Sequence, residues 1–127
     1  MISLTAVLII LVTHLFADFV IQTDKQAKGK SHNILLLLDH TLLYSFIMGL
    51  ASIFLLPIEK PVIGVYLSAA FFLITLVSHT VTDYFTSKLY EKLWAKGKTR
   101  QFFVSVGFDQ LLHYIQLFVT LYYLQNI

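Results

Sequence analysis

The chain of 127 residues is 57% hydrophobic and only 13% charged, which is long enough for one domain and too apolar for a soluble domain of this size. The absence of cysteine excludes disulfides, thiolate nucleophiles and sulfur metal ligands together. The net charge of +2 rests on nine basic residues, eight of them in two loops; this clustering suits an anionic membrane surface, and no nucleic-acid partner is expected.

Four apolar runs, Ile2 to Ile21, Ile34 to Leu56, Val62 to Phe85 and Phe102 to Leu124, each approach the ~20 residues that a helix needs to cross a bilayer. They predict an all-α polytopic membrane protein, a four-transmembrane-helix bundle forming one domain over 1–127, with helices at about 2–22, 33–56, 61–88 and 101–125. The first run has no basic segment ahead of it and no small-x-small site after it, so it is expected to stay as a span. It ends at QTDKQAKGKSHN, where Gly29 and Ser31 to Asn33 read as turn and helix-start signals. The second helix runs to Pro57. Pro61 and Gly64 open the third, which continues past Phe85 because SKLYEKLWAKGK sets Lys88, Lys92 and Lys96 on one stripe and Leu89 and Leu93 on another. Gly97 ends that extension, and the fourth helix begins near Gln101.

Basic residues favour the cytoplasmic side of a membrane. Lys25, Lys28 and Lys30 lie in the first loop, and Lys88, Lys92, Lys96, Lys98 and Arg100 in the third, whereas the middle turn has only Lys60 against Glu59. The expected location is therefore a bacterial inner membrane, multi-pass, with both termini outside. The two halves also resemble each other: His14, Asp18 and Phe19 answer to His79, Asp83 and Tyr84, and Asp39, Leu42 and Tyr44 answer to Asp109, Leu112 and Tyr114. Duplicated helical hairpins are one explanation of the match and coincidence of short patterns is the other.

Residues four apart share a helix face, so His14 with Asp18, His79 with Asp83, and Asp109 with His113 each present an imidazole and a carboxylate to one neighbour. Counted from the inner helix ends, these pairs and His40 fall in one layer. A single such pair reads first as a hydrogen-bonded clamp between helices. Three pairs and His40 at one depth instead suggest a centre for a divalent metal, because a mid-helix aspartate costs roughly 2.5 to 3.5 kcal/mol on insertion scales and needs a partner. The expected metal set is His14, Asp18, His40, His79, Asp83, Asp109 and His113, with His14, His79 and His113 as first-choice ligands. Zinc leads on nitrogen and oxygen donors; iron or manganese, in a dinuclear arrangement, are the alternatives. Asp39 is left open, since it points about 100° from His40 and can meet Lys30 or lipid headgroups instead. Thr13, Gln22, Tyr44, Ser78, Gln110 and Tyr114 surround the layer and read as interhelical hydrogen-bonding groups.

HLFADFVIQ, LLDHTLLY, HTVTDYF and FDQLLHY, taken with the basic loop, are similar to the domain-of-unknown-function 3307 (DUF3307) family of small bacterial and phage membrane proteins. The resemblance covers nearly the whole chain. It implies a multi-helix inner-membrane protein, supplies no activity, and carries over His14, Asp18, Gln22, His40, His79, Asp83, Asp109, Gln110 and His113 as motif residues.

The expected function is a membrane metal-dependent hydrolase acting on a lipid or lipid-linked substrate, with Asp18, Asp83 and Asp109 sharing ligation and general-base duty. A metal-ion or proton conduit and a non-catalytic anchor stapled by a metal or polar network are the competing readings. The bilayer is the expected surrounding, and a homodimer fits a bundle this small.

Overall fold

The computed structural model describes residues 1–56 and 59–127. It is helical throughout, with no strand among the described residues. Among the described residues five α-helices follow one another: α1 (Leu4–Leu15), α2 (Asp24–Gly29), α3 (Ile34–Ser52), α4 (Pro61–Ala95) and α5 (Thr99–Gln125). A single π-helical turn, Phe16–Val20, extends α1. The helices α3, α4 and α5 are long and apolar enough to cross a membrane, and Leu4–Val20 is a shorter apolar helix.

Local chemistry sets most boundaries. The Ser3 hydroxyl accepts from the Ala6 amide at 3.1 Å and opens α1. Thr23 and Gln26 form a capping box that starts α2 inside the stretch expected to be a loop. Asn33 caps α3 through the Leu35 amide at 2.9 Å, and Pro61 occupies the first turn of α4, where a missing N–H costs nothing. At the far end of α4, Gly97 takes φ 65°, and Lys98 and Gly97 donate to Leu93 and Trp94 carbonyls at 3.0 and 2.9 Å. This Schellman arrangement closes the extension at Gly97, as its position in the sequence implies.

Two boundaries differ from the apolar runs. The helix α3 stops at Ser52, because Ile53, Phe54 and Leu55 donate to carbonyls three residues back at 2.9 to 3.2 Å and tighten the chain out of α geometry. Pro57, expected to end that helix, lies outside the described residues. The first helix leaves α geometry after Leu15, where the Ile21 amide reaches back five residues to the Phe16 carbonyl at 2.9 Å.

Packing centres on α4, which lies against both α3 and α5, while α1 lies against α3. Toward one end the interior is apolar: Ala6, Ile10, Met48, Leu67, Phe71, Leu117 and Leu121 are buried together. Toward the other it is polar, with His14, Asp18, His40, His79, Asp83, Asp109 and His113 all buried. The outside is apolar along much of its length, including Leu8, Phe16, Phe46, Leu73, Phe85, Phe108 and Ile115. Polar side chains inside and large apolar ones outside invert the arrangement of a soluble bundle.

Gly49 lets α3 approach α4 closely, since a β-carbon there would lie 3.0 Å from Phe72 Cβ. Gly49→Ile is expected to destabilise the protein by about 1 to 3 kcal/mol through overpacking. Thermal unfolding in detergent, followed by circular dichroism, should show the lowered midpoint, while an unchanged midpoint would mean that the helices separate without cost.

Candidate metal centre

Each helix of the polar end contributes from one stripe. The π turn of the first helix carries Asp18, α3 carries His40 and Tyr44, α4 carries His79 and Asp83, and α5 carries Asp109, Gln110 and His113. Positions 79 and 83 on α4, and 109 and 113 on α5, are one turn apart and face the same neighbour. Two groups of potential ligand atoms result: Asp18, His40, His79 and Asp83 form one, and Asp83, Asp109 and His113 the other, the atoms of each lying within 4.8 Å of one another.

The first group is compact. His40 Nε2 lies 3.1 Å from Asp18 Oδ1, 3.5 Å from Asp83 Oδ2 and 3.3 Å from His79 Nε2. His79 Nε2 lies 3.6 Å from each of the same two carboxylate oxygens. A tetrahedral zinc ion with bonds of about 2.0 to 2.1 Å requires ligand atoms separated by about 3.3 to 3.4 Å. These five separations, 3.1 to 3.6 Å, bracket that value, so this group could hold a metal ion.

The second group shares Asp83, whose other oxygen, Oδ1, lies 3.3 Å from His113 Nε2. His113 Nε2 also lies 3.4 Å from Asp109 Oδ1, yet neither of these two buried atoms has an aligned hydrogen-bond partner among the described residues. Buried polar atoms are normally satisfied, and a nitrogen facing carboxylate oxygen without an aligned bond is an arrangement that either a proton on the imidazole or a cation completes. His113 is tied back to the first group through its other nitrogen, Nδ1, at 3.1 Å from His79 Nδ1.

His14 stands apart from both groups. Its Nδ1 lies 2.6 Å from the Tyr44 hydroxyl and its Nε2 2.7 Å from Gln110 Oε1. Because an amide oxygen can only accept, Nε2 carries the proton and Nδ1 accepts from Tyr44. Both ring nitrogens are then engaged, and Asp18 Oδ2, 3.9 Å away, is too distant for a direct bond. Gln110 passes the connection on, donating to Asp18 Oδ2 at 3.2 Å and Asp109 Oδ2 at 3.1 Å. Tyr44 also stacks on the His79 ring, with centroids 3.8 Å apart and planes 10° from parallel, and so restrains that imidazole's orientation.

The structure thus gathers Asp18, His40, His79, Asp83, Asp109 and His113 and turns His14 into a support for them. Asp39 lies outside the centre and accepts from Gln26 Nε2 at 2.6 Å. Lys30 was not among the expected residues, yet its ammonium meets Asp83 Oδ2 at 2.7 Å with both side chains largely buried. A centre with three buried carboxylates needs positive charge, which is the one sequence signal that points to a neighbouring loop lysine. Gln22, with its amide oxygen turned toward Lys30, accepts from that ammonium at 3.1 Å.

The family described as Protein of unknown function (DUF3307) matches residues 6–127. The chain belongs to the DUF3307 family. Every residue of the centre falls within the matched segment, so the centre is part of the DUF3307 region itself. No curated protein and no solved structure matches the chain.

Tyr44→Phe keeps the ring on His79 but leaves His14 Nδ1 buried without a donor. The expected loss of stability is about 1 to 3 kcal/mol, measurable as a lower thermal midpoint. Wild-type stability in Tyr44→Phe would show that His14 finds another donor.

Proposed function

We propose that the chain is an integral protein of the bacterial inner membrane whose His/Asp centre holds a divalent metal, zinc first, for hydrolysis of a lipid or lipid-linked substrate. The observation that carries this reading is the close grouping of four buried donor atoms from Asp18, His40, His79 and Asp83, all within 4.8 Å of one another. The three long apolar helices and the apolar exterior support insertion in a bilayer. The basic loops then lie in the cytoplasm, both termini outside, and the centre beside the inner headgroups.

A divalent ion would acidify a bound water toward a pKa of ~7. With one ion in the four-atom set, Asp109 is the base in this reading, because it lies outside that set and its Oδ1, 3.4 Å from His113 Nε2, has no aligned hydrogen-bond partner among the described residues. Gln110 orients the Asp109 carboxylate through Oδ2, and the His79–Tyr44 stack keeps the imidazole from turning. Asp83 faces both groups, one oxygen to each, which supports a dinuclear iron or manganese centre as the alternative occupant. The chain provides no cysteine nucleophile, in keeping with direct attack by water.

One observation favours a second reading, a polar network that fastens the helices without any ion: Lys30 already neutralises Asp83 at 2.7 Å. Metal analysis separates the two. Protein purified in detergent is expected to carry about one or two zinc, iron or manganese ions per chain, and His79→Ala should lose them. Folded but metal-free protein would leave the network reading standing. Asp109→Asn is expected to retain the metal and to lose turnover at least 100-fold in a screen of lipid substrates, on the order of what a general base contributes. Full turnover in that variant would remove Asp109 as the base.

A further inference from the structure

The face of α4 that carries His79 and Asp83 does not end at the centre. Ser87, Tyr90 and Trp94 continue it at helical spacing toward the basic loops. There they line a cavity of about 500 Å³, together with Lys28, Lys30 and Phe102. Lys30 belongs to both places: its ammonium meets Asp83 Oδ2, and its side chain forms part of the cavity wall.

The cavity carries groups suited to an anion, of which Lys30 is shared with Asp83 and the rest are lightly used. Ser87 Oγ and Tyr90 OH are both buried, and neither has a hydrogen-bond partner among the described residues. Burial, and then the nearby Asp109 carboxylate, push the Tyr90 phenol above its ordinary range, so it stays a neutral hydroxyl able to donate. Lys28 contacts Asp24 only at 4.0 Å in the open, a pairing of little strength. The cavity's one carboxylate, Glu91, is already engaged by His32 at 2.9 Å. Two lysines, one of them shared with Asp83, and two hydroxyls without an aligned partner thus line one cavity, and they match the several acceptor oxygens and the charge of a phosphate group.

The rest of the wall is aromatic. Trp94 packs edge-on against Phe102 at 5.1 Å, and Tyr90 against the same ring at 5.6 Å. A phosphate bound by the polar groups would have these rings beside whatever it esterifies, which suits an apolar chain better than a sugar or a free ion.

We infer that this cavity binds the phosphate headgroup of a lipid, held by Lys28, Lys30, Ser87 and Tyr90, the last two lying one and two helical turns beyond Asp83. As a substrate site it rests on the hydrolase reading; as a binding site it stands on its own groups and is testable without metal or turnover. When a metal ion satisfies Asp83, Lys30 is free to turn wholly to the phosphate, so metal and lipid should bind with positive coupling.

Trp94, the chain's single tryptophan, reports occupancy directly. The full chain, chelator-treated and held in phosphatidylcholine nanodiscs, is titrated with phosphatidic acid while Trp94 emission is followed. A saturable change is expected, and Ser87→Ala with Tyr90→Phe should weaken binding about tenfold. Neither hydroxyl has an aligned hydrogen-bond partner among the described residues, so this double variant should keep the wild-type thermal midpoint. Inorganic phosphate is expected to saturate only at much higher concentration; equal potency would keep the anion site and overturn the lipid as its source. No saturable response to either ligand, an equal response to neutral diacylglycerol, or unchanged affinity in the double variant would overturn the site itself. Because metal is absent from this titration, its failure is independent of a failure of the metal reading.

Discussion

Carboxylates withdrawn from water must be neutralised, and the polar end of this bundle is organised around one of them. Asp83 has each oxygen committed to a different set of partners. Oδ2 faces His40, His79 and Lys30, and Oδ1 faces His113. Uncompensated burial of such a group costs several kcal/mol, so each of these contacts is under strong pressure to persist. Through Asp83 the helices α3, α4 and α5 and the loop before α3 are joined, and Asp18 completes the ring from the first helix. The remaining polar groups serve this arrangement: Tyr44 stacks on His79, and Gln110 bridges Asp18 and Asp109.

The apolar and polar ends divide the work of folding. Packing of Ile10, Met48, Phe71, Leu117 and Leu121 is shape-directed and tolerant of small changes in register. The polar end is directional, since hydrogen bonds and charge pairs weaken steeply with distance and angle. The Thr80 hydroxyl donating to Thr41 at 2.8 Å, and Gln116 bridging Thr75 and Thr120, extend that directional lock outward from the centre. Helix rotation is therefore set at the polar end, and the apolar end follows.

Much of this was legible in the residues. The apolar runs located the long helices, Gly97 and Pro61 marked two of their ends, and the His/Asp spacing brought most of the centre to one depth. What escaped has a common cause. The helices are apolar nearly all round, so no face of α3, α4 or α5 is marked as inward by its hydrophobic pattern, and helix rotation cannot be read from periodicity. The loss of His14 to Tyr44 and Gln110, and the arrival of Lys30, are consequences of rotation and of a folded loop. The π turn at Phe16–Val20 changes the aim of Asp18 with no composition to announce it. The Thr23–Gln26 capping box was written in the chain but led into polar residues, where no apolar stripe drew attention to a helix.

The 35 residues of α4 run without a break, about 52 Å at 1.5 Å per residue, well beyond a hydrocarbon core of about 30 Å. The helix is in effect a ruler. His79 and Asp83 are graduations on it, and Ser87, Tyr90 and Trp94 are further ones, with no hinge between them to absorb a mismatch. A molecule that touches both parts must bring its own groups at the matching interval. Selection would then operate by the distance between an anionic group and the bond beside it, more than by the identity of what lies further along the chain.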